Sequence, residues 1–371
     1  MVKSKKIVTK KNDYAQINNS AAAPAVTIKN VANYCRVSTA TVSLVLSRNP
    51  RISEETAKKV FDAIERLGYR PSAAARNLAL NSTKIISLVI PQLDHIFVHP
   101  FFSLSINGIY DACVANGYNL QLEMASFQFA KRKRYLRLFQ ERATDGIIYV
   151  GSTLADTYLR EIEENNFPFI LCGSYFKKMN LSYVIGDNAG GARLAVGHLA
   201  TLGKKRIAHI FGSFNIQSAV DRFEGYKEEL KEKGLEYNPR LVVKGDYDEK
   251  GGFGAMKKIL PYKPDAVFAG NDLMASGAIK AICNSGGLKV PEDISVVGMD
   301  DLPMAAKMSP ALTTIRYGIY EMAYRASERL MEMASGKITG QLAEIMPVKL
   351  IIRETCGAKK IKGKFLKRNA A

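Results

Sequence analysis

The sequence predicts an N-terminal all-α helix-turn-helix head followed by a two-lobed α/β domain with parallel sheets. Three observations predict it. Short segments opened by helix-capping residues fill the stretch from Thr27 to Gly68. Beyond Asn81, continuous apolar β-rich runs alternate with amphipathic stretches, the pattern of parallel strands buried on both faces by helices. Nine such runs over about 270 residues exceed one comfortable sheet, so two similar lobes are expected.

Residues 1–25 are rich in Lys, Asn, Ser and Ala, lack apolar periodicity, and read as a disordered basic arm. Residues 26–70 carry the head. Thr27 is the expected N-cap of a helix running to Tyr34 with Ile28, Val31 and Ala32 on one face. A tight break at Cys35-Arg36-Val37 leads to a second cap, Ser38, and a helix from Thr39 to Leu46. Ser53, followed by Glu54 and Glu55, opens a third helix through Leu67, stopped by Gly68. Residues 71–83 form a hinge and linker: Pro71 suits a first helical turn, and Ala73 to Ala75 favour helix. About eight residues cannot hold a helix alone, so this segment is expected to coil only on its target.

In the body, residues 84–356, strands are expected at 85–90, 119–124, 146–150, 167–172, 183–186, 206–211, 241–244, 265–269 and 295–299. Helices are expected at 101–116, 189–202, 223–233 and 272–285. Residues 357–371 form a basic tail without leucine heptads and read as disordered.

The net charge of +18 sits at the ends: residues 1–84 hold 15 Lys/Arg against 5 Asp/Glu, and residues 357–371 hold six Lys/Arg and no acid. A basic head on a nearly neutral body suits attraction to phosphate, although a tail kept for solubility gives the same balance. The five cysteines are scattered without a CxxC pair and suit reduced core thiols, and the four histidines show no metal-ligand spacing. The N-terminus runs into polar residues without an apolar signal region, and no run of about 18 apolar residues occurs, so a cytoplasmic location is expected, with no membrane contact. No GxSxG, P-loop or metal cluster stands out, and Gly251-Gly252-Phe253-Gly254 does not follow a strand at phosphate-binding spacing. Neither an enzyme nor a cofactor is expected.

Several blocks together resemble the lactose/galactose repressor family of transcription regulators: Thr27-Ile28-Lys29-Asn30-Val31-Ala32, Val37-Ser38-Thr39-Ala40-Thr41-Val42-Ser43, Gly68-Tyr69-Arg70-Pro71 and Ala75-Arg76-Asn77-Leu78-Ala79. The resemblance continues through Pro100-Phe101-Phe102, Asp187-Asn188, Arg222-Phe223-Glu224-Gly225-Tyr226, Gly270-Asn271-Asp272, Gly298-Met299-Asp300-Asp301 and Leu312-Thr313-Thr314-Ile315. Arg353-Glu354-Thr355-Cys356 is similar to the family's closing strand. The resemblance implies a body with the fold of periplasmic sugar-binding proteins and a homodimer bound to a palindromic double-stranded operator, regulated by a small, sugar-like effector.

By resemblance, Thr39, Ala40 and Leu44 would read base edges, with Ile28, Ser38, Thr41, Ser43 and Ser53 nearby on the DNA side and the hydroxyls near phosphates. Ser72, Ala75 and Leu78 would form the hinge contact, the leucine wedging into the minor groove. In the body, Arg222 and Asn271 would donate to effector oxygens, Asp300 would accept from hydroxyls, and Phe101 or Phe102 would stack on the ligand. Plainer roles remain open at this stage: an ordinary amphipathic second helix, a linker with Leu78 packed on the body, Asn271 and Asp300 as helix caps, and Phe101 as core.

Four departures from the family pattern stand out. Leu44 stands where many relatives carry Arg, which removes a guanine contact worth about 1–3 kcal/mol of discrimination. Arg36 stands where relatives have Gly, so the turn either tolerates a side chain or strains it. The loop Asp94-His95-Ile96-Phe97-Val98-His99 is longer than usual, and Gly173 occupies a position where some sugar-responsive relatives place an acid. Two other readings are kept beside the effector-controlled regulator. One is the same regulator controlled by a protein corepressor; the other is a ligand-binding protein of the periplasmic type with no DNA role, which would need a signal peptide and no head.

Overall fold

The computed structural model describes residues 26–47, 49–69 and 82–358, with the backbone of 360–361 and 364–365. The chain divides between Thr83 and Lys84 into two compact units.

The first unit contains α1 (Ile28–Cys35), α2 (Thr39–Leu46) and α3 (Glu54–Leu67). Each start has a local cause. Asn30 Oδ1 accepts the Thr27 backbone N–H at 2.9 Å, Ser38 Oγ accepts Thr41 N–H at 3.0 Å, and Ser53 Oγ accepts Thr56 N–H at 3.3 Å. These bonds satisfy donors that the first helical turn leaves open. Gly68 ends α3 in the left-handed region at φ 63°. Arg36 does the same between α1 and α2 at φ 55°, so the strained alternative is the one the chain adopts. Val31, Ala32, Cys35, Val42, Val45, Val60, Ala63 and Tyr69 form the core of this unit.

The second unit is built on two six-stranded sheets. The first, in the order β11-β5-β4-β3-β1-β2, is parallel throughout. It contains β1 (Ile85–Pro91), β2 (Asn119–Ala125), β3 (Gly146–Val150), β4 (Phe169–Cys172), β5 (Ser182–Gly186) and β11 (Ala343–Met346). The second, in the order β12-β10-β9-β8-β6-β7, is parallel apart from β12, which runs antiparallel to β10. It contains β6 (Ile207–Phe211), β7 (Val242–Lys244), β8 (Ala266–Ala269), β9 (Ser295–Asp300), β10 (Thr313–Arg316) and β12 (Lys349–Ile351). Every residue of β3, β4, β6, β8 and β9 is buried, as a parallel strand covered on both faces requires.

The first lobe carries α4 (Pro100–Ala115), α5 (Phe127–Lys131), α6 (Arg134–Gln140), α7 (Arg160–Asn165) and α12 (Ile319–Ala334). The second carries α8 (Asn188–Thr201), α9 (Gln217–Glu232), α10 (Glu249–Ile259) and α11 (Asp272–Cys283). The chain crosses between lobes three times: β5 to α8, β10 to α12, and β11 to β12. Helix α9 buries Ala219, Arg222, Tyr226 and Leu230 along one stripe at helical spacing. It lies so close to α8 that a Cβ on Gly225 would meet the Ala189 carbonyl oxygen.

The expected nine strands are present, several shifted by a residue or two at an end. Sequence patterning did not anticipate β10, β11 and β12, which are three or four residues long. Arg353 to Cys356 does not close the sheet as a strand; the closing strand is β12, and residues 354–356 form a bend and turn. That turn serves β10 through its side chains, because Thr355 Oγ1 accepts Thr313 N–H at 2.8 Å while Thr313 Oγ1 accepts Arg353 N–H at 2.9 Å. Cys35, Cys113, Cys172 and Cys356 are buried free thiols and Cys283 is an exposed one. Among the described residues, no helix is long and apolar enough to cross a membrane.

Candidate ligand cleft and nucleic-acid interface

In the head, the surface of α2 presents two successive turns. Ser38, Thr39 and Ala40 are exposed, and Leu44 follows one turn later with 38% of its surface open. An exposed leucine at that place leaves an apolar knob where a polar residue would normally be found. Ser43 and Thr41 are half-buried beside them, as is Ile28 on α1. Ser38 and Ser53 are both engaged as caps, and Ser38 Oγ also lies 2.9 Å from Thr41 Oγ1. Ser72, Ala75 and Leu78 lie outside the described residues.

In the body, the C-terminal ends of the parallel strands converge on the junction of the two lobes, where open α/β sheets place ligands. Direct bonds span that junction. Leu154, after β3, donates its N–H to the Asn215 carbonyl after β6 at 2.8 Å. The Tyr175 hydroxyl, after β4, donates to Asp221 Oδ1 on α9 at 3.3 Å. The lobes stand closed on each other.

Asp300 ends β9 and is buried, with its backbone at φ 128°, a conformation that L residues rarely adopt. Among the described residues no hydrogen bond reaches its carboxyl. Burial raises its pKa to about 7, against the opposing pull of the Arg222 guanidinium. Asp272, the first residue of α11, is raised as well, by burial and then by the neighbouring Asp300 charge. Its oxygens are nevertheless occupied: Thr314 Oγ1 donates at 2.5 Å and Leu302 N–H at 2.7 Å.

Arg222 is buried on α9 and tied into the protein. Its Nε donates to Asn188 Oδ1 at 2.8 Å, its Nη1 donates to the Gly270 carbonyl, and its guanidinium lies 5.2 Å from the Tyr317 ring centroid. Asn271 is the N-cap of α11, accepting Met274 N–H at 2.8 Å while its Nδ2 donates to the Tyr247 carbonyl at 3.0 Å. The cap role left open by the sequence is therefore the one its side chain performs. Phe102 is buried and Phe101 half-buried, with edge-to-face rings 5.3 Å apart. A Cβ at Gly173 would lie 3.0 Å from the Phe101 ring, so the phenyl group occupies the space an acidic side chain would need there.

Sequence reasoning missed Tyr247, His99 and Ser152. Tyr247 follows the left-handed Asp246 and is itself left-handed at φ 64°. These two strained residues turn its ring over Gly212, where even a Cβ would collide with it. Among the described residues, the Tyr247 hydroxyl, the Ser152 hydroxyl and His99 Nδ1 are buried and reach no hydrogen-bond partner. Burial lowers the His99 pKa, although the Tyr247 carbonyl and Asp248 on the other lobe favour its protonation. Only the Gly245-Asp246 pair before Tyr247 hinted at a special turn. Among the described residues, no group of three or more His, Cys, Asp and Glu is placed to hold a metal ion.

Comparisons with known proteins agree with this division of the chain. Residues 27–72 match the profile described as bacterial regulatory proteins, lacI family, and residues 196–356 match a periplasmic binding protein-like domain. The chain is 32% identical over 331 residues to the ribose operon repressor of Halalkalibacterium halodurans, covering 89% of this chain and 96% of that protein. It is 33% identical over 314 residues to the HTH-type transcriptional repressor PurR of Aliivibrio salmonicida, covering 84% and 93%. Among solved structures it is similar to the Lac repressor dimer bound to operator and the anti-inducer ONPF, with a TM-score of 0.75 at 27% identity over 90% of this chain and 99% of that one. The transcriptional regulator CelR in complex with cellobiose aligns with a TM-score of 0.69 at 29% identity, over 89% and 99%.

Proposed function

Because the chain belongs to the lacI family of bacterial regulatory proteins, a DNA-binding transcriptional repressor controlled by a small molecule, we propose that a palindromic operator is gripped by two copies of it and that a sugar-like effector in the cleft sets the affinity. The observation that carries this is the pairing of two features on one chain. A capped helix exposes Thr39, Ala40 and Leu44, and a junction of two lobes holds the buried Asp300 carboxyl with no hydrogen bond among the described residues.

Thr39 and Ala40 read thymine methyl groups or single hydrogen bonds, and the exposed Leu44 adds an apolar contact. Ser38, Thr41, Ser43, Ser53 and Ile28 fix the register on the backbone. Ser72, Ala75 and Leu78 order on the operator, and Leu78 enters the minor groove at its centre. In the cleft Asp300 accepts ligand hydroxyls, the remaining guanidinium nitrogen of Arg222 donates, and Phe101, Phe102 and Tyr247 supply flat walls. Asn271 serves this site indirectly, by holding the Tyr247 carbonyl. The protein works in the cytoplasm and catalyses no reaction.

Selection of duplexes from a random pool, with and without added sugars, tests the proposal. The expected result is a palindrome whose recovery changes with one of them; equal recovery of all duplexes would sink the regulator reading.

A further inference from the structure

A groove on the second lobe, between α8 and β12, shares no residue with the ligand cleft described above. Its volume of about 1050 Å³ is at the upper end for a small-molecule pocket, for which roughly 300–1,000 Å³ is usual. Val348, Leu350 and Ile352, at alternate positions of β12 and its flanks, line it with one apolar face, and the exposed Leu194 and Leu202 line it from α8. Strand β12 is an edge strand, with β10 on one side and, among the described residues, no strand on the other. Such edges are normally covered, because their outer N–H and C=O groups are left open. His198 Nε2, on the α8 wall, is buried and reaches no hydrogen-bond partner among the described residues. Exposed leucines, an open edge and an orphaned ring nitrogen together call for a segment that brings both apolar side chains and backbone polar groups.

The chain supplies one at that place. Gly357 and Ala358 also line the groove, so residues 359–371 begin at its wall. Helix α8, with 14 residues, is about 21 Å long, whereas those last residues extended reach roughly 40 Å. They hold Ile361, Phe365 and Leu366 among six Lys/Arg and no acid. The groove has the opposite balance: Asp187, Glu229 and Glu232 stand against Arg193 and Lys233, and Arg193 is already held by Glu228 at 3.0 Å. The backbone of Lys360–Ile361 pairs with that of Lys364–Phe365, and a two-stranded ribbon this short is at best marginally stable in water unless it packs on a surface.

We infer that residues 359–371 dock in this groove of their own chain, with Ile361, Phe365 and Leu366 toward the apolar walls and the lysines toward Glu229 and Glu232. Seated there, the segment braces two of the three crossings between the lobes, since Asp187 lies in the first and Val348 in the third. Hydrogen exchange of the full chain, wild type beside the double variant Ile361→Ser with Phe365→Ser, tests this. The variant is expected to exchange several-fold faster at residues 194–202 and 348–352, with α11 unchanged. Carbodiimide coupling of a mixture of isotope-labelled and unlabelled wild-type protein gives the second readout. Tail lysines are expected to join Glu229 or Glu232 within one chain. Unchanged exchange overturns the inference, as do cross-links that are absent or confined to labelled-with-unlabelled pairs, the latter assigning the groove to a second copy.

Discussion

Arg222 Nε donates to Asn188 Oδ1 at 2.8 Å, which joins the cleft to the first crossing between the lobes. Asn188 passes the connection on, because its Nδ2 donates to the Tyr317 hydroxyl at 3.2 Å and Tyr317 stands at the second crossing. The same hydroxyl accepts Gly186 N–H at 3.1 Å. A ligand that shifts the arginine therefore pulls on both crossings at once. Tyr317→Phe keeps the ring under the guanidinium and removes the shared acceptor. The expected outcome is a loss of about 1–3 kcal/mol in stability from stranded donors and a several-fold smaller effect of ligand on operator affinity, read by titrating operator at zero and saturating ligand. An unchanged ligand effect would assign Tyr317 a packing role only.

Asp300 makes a second prediction through pH. Burial lifts its carboxyl from an ordinary 3.8 to about 7. Between those values the folded protein holds more protons than the unfolded chain, so this group lowers stability as pH rises from about 4 to about 7 and no further above it. Asp300→Asn removes the effect. In denaturant titrations the variant is expected to gain on the wild type across that window, by a few kcal/mol at most at pH 8, with no difference at pH 4. A difference that stays flat with pH would contradict the assignment.

The same carboxyl accepts ligand hydroxyls best when ionised. Ligand affinity of the wild type is accordingly expected to weaken as pH falls from 8 to 5.5, which calorimetry at four or five pH values would display.

Arg36 carries a third prediction. Its φ of 55° costs an L residue about 1–2 kcal/mol relative to the right-handed region. Glycine adopts the conformation freely but gains entropy in the unfolded chain, so Arg36→Gly is expected to stabilise the head by about 0.5–1 kcal/mol net. Hydrogen exchange of the α1 and α2 amides in the full chain would report slower opening; faster opening would show that the arginine side chain stabilises the turn.

Leu44 carries the fourth. Leu44→Arg places a guanidinium fork on the exposed face of α2, and selected operators are expected to acquire a guanine at one position per half-site, preferred by about 1–3 kcal/mol. Selection that returns the wild-type site would mean that this turn does not face the bases.

The head was legible almost to the residue because capping chemistry is local. Ser38, Ser53 and Gly68 mark the helix ends through bonds made within three or four positions. The sandwiched strands were legible for a related reason, since burial on both faces writes an unbroken apolar run. The short strands β11 and β12 lie at sheet edges and mix exposed with half-buried residues, so no such run appears. The cleft was half legible. Arg222 and Asn271 were expected as ligand donors, but the commitment of Arg222 to Asn188 and of Asn271 to Tyr247 depends on contacts between distant segments. Tyr247 escaped notice because two left-handed residues, not a motif, carry it there.

The third crossing has a consequence for the gene. Because β11 completes one sheet and β12, three residues later, completes the other, residues 343–351 supply the border of both halves of the molecule. A nonsense codon near position 340 would strip each half at once and bare two fresh strands to solvent, so late truncations should behave as aggregation-prone nulls and not as mild alleles.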